Sequence, residues 1–152
     1  MKKLFVLIIF LSYSCKESDQ GEQPMNSAVV DEYNDKEKMD ELCRKALTEG
    51  DTVAFWELNR IFVVSEHSSE FAYISTVMAE RYHYGPAFRQ NYKMLRNQKG
   101  IMKTIAVYNL LKSHELGNRK DMRDLEELFP EGIPTAAGYW KRNNVGARQA
   151  KQ

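Results

Sequence analysis

Three histidines, two cysteines and a set of neighbouring acids are the side chains with which this 152-residue chain could perform metal, nucleophilic or acid–base chemistry. His67, His83 and His114 never stand three or four residues apart, so no two of them share a helix face as a metal chelate requires. His114-Glu115-Leu116-Gly117-Asn118 opens like the H-E-x-x-H zinc pattern, but Asn118 occupies the place of the second histidine. Cys15 and Cys43 fit no zinc spacing, and Cys43 falls on an apolar helical face, where a thiol acts as a small buried hydrophobe. The sequence has no G-x-S-x-G elbow, Walker loop, G-x-G-x-x-G turn or calcium loop. The pairs Asp40-Glu41 and Glu126-Glu127 lie where a solvated helix face puts acids. These observations predict a protein that is not an enzyme and has neither a metal site nor a cofactor. The rival expectation is an envelope enzyme or glycan-handling protein, which needs Glu66, Glu80 or Glu127 drawn into a cleft that raises its pKa.

Binding chemistry is more visible. Arg81, Tyr82, His83, Tyr84, Arg89, Tyr92, Lys93 and Arg96 interleave aromatic and basic residues around Gly85. Tyrosine and arginine dominate interface hot spots, so the cluster predicts a face that docks an acidic protein. The plainer alternative is that Tyr82 and Tyr92 belong to the core and the cations to solvent. Single-stranded nucleic acid would use similar groups, but 22 basic against 21 acidic residues leave a net charge of +1 and no field to draw a polyanion. No nucleic-acid partner is expected.

The elements that must position these residues are helical. From Asp35, the residues Met39, Leu42, Cys43, Ala46 and Leu47 follow the i, i+3, i+4, i+7, i+8 pattern up to Gly50. Asp51 is placed to cap a second helix bearing Ala54, Phe55, Leu58, Ile61 and Phe62. Ser68 or Ser69 is expected to cap a third, with Phe71, Ile74, Met78, Ala79 and Tyr82, which stops at Tyr84-Gly85-Pro86. A fourth carries Ala87, Phe88, Tyr92 and Leu95. A fifth, Ile101 to Leu116, is apolar nearly all round. Arg119 to Phe129 and a last helix from about Thr135, with Trp140, complete the set. No window alternates as a strand does. The expected fold class is all-α, stacked helical hairpins of about six to seven helices over residues 35–152, and 152 residues fill one domain. Apolar residues at 43% and aromatics at 11% supply a core and exclude wholesale disorder.

The amino terminus has a different character. Lys2 and Lys3, the apolar run Leu4 to Leu11, and Ser12-Tyr13-Ser14 before Cys15 have the layout of a bacterial secretion signal, and the run is far short of the roughly 20 residues of a membrane span. Leu11-Ser12-Tyr13-Ser14-Cys15 resembles the lipobox of bacterial lipoproteins in its relaxed, Bacteroidetes-type form, with Ser12 where an aliphatic residue is preferred and the small Ser14 in place. The resemblance implies that residues 1–14 are removed and that Cys15 carries a diacylglyceryl anchor. Loss of Lys2 and Lys3 turns the charge from +1 to −1, so the lipid itself must do the anchoring. Lys16-Glu17-Ser18-Asp19 is similar to the signal that carries lipoproteins of that phylum to the outer face of the outer membrane, which implies an outer-membrane location, at the periplasmic face or the cell surface. Residues 15–34, rich in Glu, Asp, Gln, Ser and Asn, read as a flexible tether, with Val29 and Val30 able to dock on the domain.

Ala106 to Asn118 (AVYNLLKSHELGN) resembles the second helix of a Sel-type, tetratricopeptide-like repeat with its closing Gly-Asn. Leu125 to Gly132 and Met78 to Ala87 echo the same ending, although Gly85 and Gly132 lie further apart than one such repeat, with an insertion around Asn97 to Met102 as the source of the excess. The resemblance covers residues 69 to 141, about half the chain, and implies a protein-binding surface. Together these features predict a lipid-anchored module of the bacterial envelope that binds a protein partner. An immunity or accessory protein against a secreted toxin is the narrower expectation. A structural lipoprotein of an envelope assembly is a further alternative.

Overall fold

Two aspartates begin the first long helices. The backbone N–H of Lys38 donates to Asp35 at 3.0 Å, and those of Val53 and Ala54 donate to Asp51 at 2.7 and 3.1 Å, so donors left open by each helix start are satisfied. The structure, a computed structural model, describes residues 27–149. Among these residues there are eight helices and no strand: α1 (Ser27–Asn34), α2 (Lys36–Arg44), α3 (Thr52–Val64), α4 (Phe71–Glu80), α5 (Gly85–Leu95), α6 (Ile101–Glu115), α7 (Met122–Leu128) and α8 (Ala136–Gln149). None is long and apolar enough to cross a membrane.

α2 runs on into a wider π-helical turn, Lys45–Glu49, which Gly50 ends at φ +70°. That turn leaves the Leu47 carbonyl without a helical partner, and the Tyr82 hydroxyl donates to it at 3.1 Å. α3 buries Phe55, Leu58 and Ile61 completely, each contributing about 1.5–3 kcal/mol. They pack with Phe71, Ile74, Met78, Ala87 and Phe88 in a first core. A second core gathers Tyr92, Ala106, Val107, Leu110, Leu111, Leu125 and Ala136. α5 joins the two, giving Ala87 and Phe88 to the first and Tyr92 to the second.

The join between α5 and α6 is close. Ser113 Oγ donates to the Gly85 carbonyl at 2.9 Å, and a Cβ on Gly85 would stand 3.2 Å from that of Leu116. Asn118 closes the turn after α6 by donating its side-chain amide to Ser113 Oγ at 2.9 Å. Glu115 reaches across to accept the N–H of Ala136 at 2.8 Å and so caps α8.

Three expectations are corrected. Residues 27–34, expected within the flexible tether of residues 15–34, form α1, and residues 15–26 of that reading lie outside the described residues. α1 is held by contacts distant in sequence: Tyr33 stacks on His67 with ring centroids 4.0 Å apart and donates to Glu70 at 2.9 Å, while Arg60 donates to Glu32 at 2.6 Å. Val29 packs on the core and Val30 stays 40% exposed. α1 raises the helix number from the expected six or seven to eight. Ser68 and Ser69 do not cap α4, because a turn closed by Glu70 N–H on the His67 carbonyl at 2.9 Å puts Glu70 at the cap position. The signal segment 1–14, Cys15 and residues 150–152 lie outside the described residues.

Candidate functional site

α5 carries Arg89 and Lys93, and Arg96 follows at its helical C-cap, so spacings of four and three place three cations along one stripe. α7 and the turn before it bring Lys120 and Arg123 to face them. With Tyr92, Asp121 and Asp124 these residues line an open cleft of about 350 Å³, in which five cationic side chains meet two carboxylates.

Both carboxylates are engaged. Arg89 Nε donates to Oδ2 of Asp121, which is buried, and the Tyr92 hydroxyl donates to Asp124 Oδ2 at 3.3 Å. Burial, and then the Asp124 charge, raise the Tyr92 phenol above its ordinary value and keep it a donor. Lys93, Arg96, Lys120 and Arg123 have no carboxylate within ion-pair distance among the described residues. Lys93 registers the surplus: burial, then the neighbouring Arg89, push its ammonium below the ordinary lysine value, against a partial offset from Asp121. An entering carboxylate would relieve that repulsion and accept charge-assisted hydrogen bonds worth about 1.5–3 kcal/mol each.

The expected eight-residue face divides into two. Arg89, Tyr92, Lys93 and Arg96 come together in the cleft. Arg81, Tyr82, His83 and Tyr84 belong to the turn before α5, where Arg81 and Tyr82 reach the π-helical turn after α2 and Tyr84 reaches α3. The Arg81 guanidinium lies 5.4 Å from the centre of the Tyr82 ring and donates to the Leu47 carbonyl at 3.4 Å. Tyr84 accepts the Trp56 indole N–H at 2.9 Å and meets the Phe55 ring edge-on. His83 is exposed at φ +51°, a left-handed position that serves the chain reversal. Tyr92, at 7% exposure, and the half-buried Tyr82 are packed as the core alternative expects, while the cations Arg89, Lys93 and Arg96 border the open cleft.

Lys120 and Arg123 were missed because they are remote in sequence from α5. Their one local signal is a three-residue spacing at a helix start. Of the acids proposed for an enzyme, Glu66 and Glu127 are exposed, and Glu80 borders a separate pocket. Among the described residues no group of three metal-binding side chains forms. Cys43 is half-buried on the first core, and burial, with Asp40 next, raises its thiol pKa and lowers its reactivity. Compared with known proteins, the chain matches no family model, no curated protein and no solved structure.

Proposed function

We propose that this protein is a lipid-anchored, non-enzymatic binding module of the bacterial envelope, whose cleft between α5 and α7 receives an acidic segment of a partner protein. The observation that carries this reading is the surplus of cations around Lys93, with both local carboxylates already engaged by Arg89 and Tyr92. The pairwise packing of successive helices, α2 on α3, α4 on α5 and α5 on α6, supports a repeat-like stack of hairpins. The lipobox-like stretch ending at Cys15 supports an outer-membrane anchor. An immunity or accessory role toward a secreted toxin fits a module that works by occupying its partner, and rests on analogy alone.

Binding of a fluorescent hexaglutamate peptide to the full chain tests the cleft. Saturable binding is expected, weakened at least tenfold by Lys93→Gln with Arg96→Gln and Arg123→Gln, and unchanged by Arg81→Gln. Hexaglutamine should not bind, and a single-stranded oligonucleotide should bind less tightly than hexaglutamate. Equal affinity in the triple variant would remove the cleft from the reading. Radiolabelled palmitate tests the anchor separately: it should enter the wild type and not Cys15→Ala, and equal labelling would reject lipidation at that residue.

A further inference from the structure

On α6 and α8, away from the cationic cleft, Tyr108 and Trp140 set their rings 5.5 Å apart at 60°, forming a corner that offers two aromatic faces. Ile105 and the buried Asn109 form the inner wall, and Glu80, at the end of α4, stands at the border of the same pocket of about 260 Å³. None of these residues lines the α5–α7 cleft.

The polar groups of the pocket differ in how far they are committed. Asn109 donates to the Ile105 carbonyl at 2.8 Å and faces the Asn91 amide at 3.5 Å, so its side chain is engaged within the fold. Glu80 has neither an ion pair nor a side-chain hydrogen bond among the described residues. An unpaired carboxylate beside two aromatic faces attracts a cation twice, through its charge and through the negative faces of the rings. The volume lies below the roughly 300–1,000 Å³ of pockets that enclose whole small molecules, and suits one long side chain. Between lysine and arginine, the planar guanidinium both stacks on an aromatic face and forms paired hydrogen bonds to a carboxylate.

We propose that this pocket receives an arginine side chain of a partner protein, with the guanidinium against Tyr108 and Trp140 and paired with Glu80. The test uses the full chain carrying Cys15→Ala, which keeps it free of lipid, and the NMR signals of its two indole N–H groups, those of Trp56 and Trp140. N-acetyl-arginine methylamide should shift the Trp140 signal saturably and leave Trp56 in place. N-acetyl-citrulline methylamide, of nearly the same shape but uncharged, should move neither. Glu80→Gln, at an exposed position that the fold does not need, should weaken the arginine probe at least fivefold. Equal responses to the two probes, an unchanged affinity in Glu80→Gln, or no shift up to about 10 mM would each overturn the proposal.

Discussion

The ring of Tyr82 occupies the space that a side chain on Gly50 would need: a Cβ there would stand 2.5 Å from Cδ1 of the tyrosine. Gly50 also holds φ +70°, so the position excludes other residues both by conformation and by contact. Gly50→Ala should therefore lose about 2–4 kcal/mol, combining the left-handed penalty with overpacking. Denaturant unfolding measures the loss. In a double-mutant cycle with Tyr82→Ala, the contact part should disappear and leave the conformational part. Simple additivity would mean that the ring does not rest on this turn.

Lys93 should titrate below 10.5, and the direction can be followed through its side-chain NMR signal. A lysine whose folded pKa is lowered opposes folding while charged, and this penalty is relieved as the pH rises from its folded pKa toward 10.5. Lys93→Gln should accordingly stabilise the protein at neutral pH. A bound hexaglutamate should move the Lys93 titration upward, and a titration that ignores the peptide would place its binding elsewhere.

Acid should loosen the α1 end first. Lys38, then Arg60, hold the Glu32 carboxyl below its usual range, Arg60 does the same for Glu57, and Arg44 with Lys45 brings Glu41 from 4.5 to about 2. Because the folded values are depressed, these pairs contribute above pH 4.5, and their contribution is lost as the pH falls from there toward 2. The pairs are partly or largely exposed, so the effect should be modest and should shrink in salt. The urea midpoint, followed across that window at low and high salt, should fall more steeply at low salt. A flat profile would show that the pairs do not contribute.

Glu66 is held at φ +66° in the turn after α3 without a glycine's freedom. Removing a left-handed penalty of about 1–2 kcal/mol at the expense of 0.5–1 kcal/mol of added chain entropy should make Glu66→Gly more stable by roughly 0.5–1 kcal/mol. The expected reading is a Tm raised by a few degrees. A lowered Tm would mean that the turn is not left-handed in solution.

What was legible in the sequence was what neighbouring residues decide. Asp35, Gly50 and Asp51 mark helix ends by local chemistry, and the period of Phe55, Leu58, Ile61 and Phe62 identifies a buried face without any knowledge of what covers it. α1 was not legible, because Glu32 and Tyr33 find Arg60, His67 and Glu70 only after the chain has turned back on itself. The placement of the basic and aromatic cluster was half legible for the same reason. Adjacency in sequence joined Arg81 to Arg89, whereas the reversal at Gly85 sends the first toward the Leu47 carbonyl and the second toward Asp121. Lys120 and Arg123 complete the cleft through tertiary contact alone.

The position of α5, with Ala87 and Phe88 in one core and Tyr92 in the other, has a thermodynamic consequence. Neither core can lose this helix without opening the other, so the two clusters are coupled into one cooperative unit. The cationic stripe Arg89, Lys93 and Arg96 lies on that shared helix and its C-cap, so a partner seated there would tighten both cores at once.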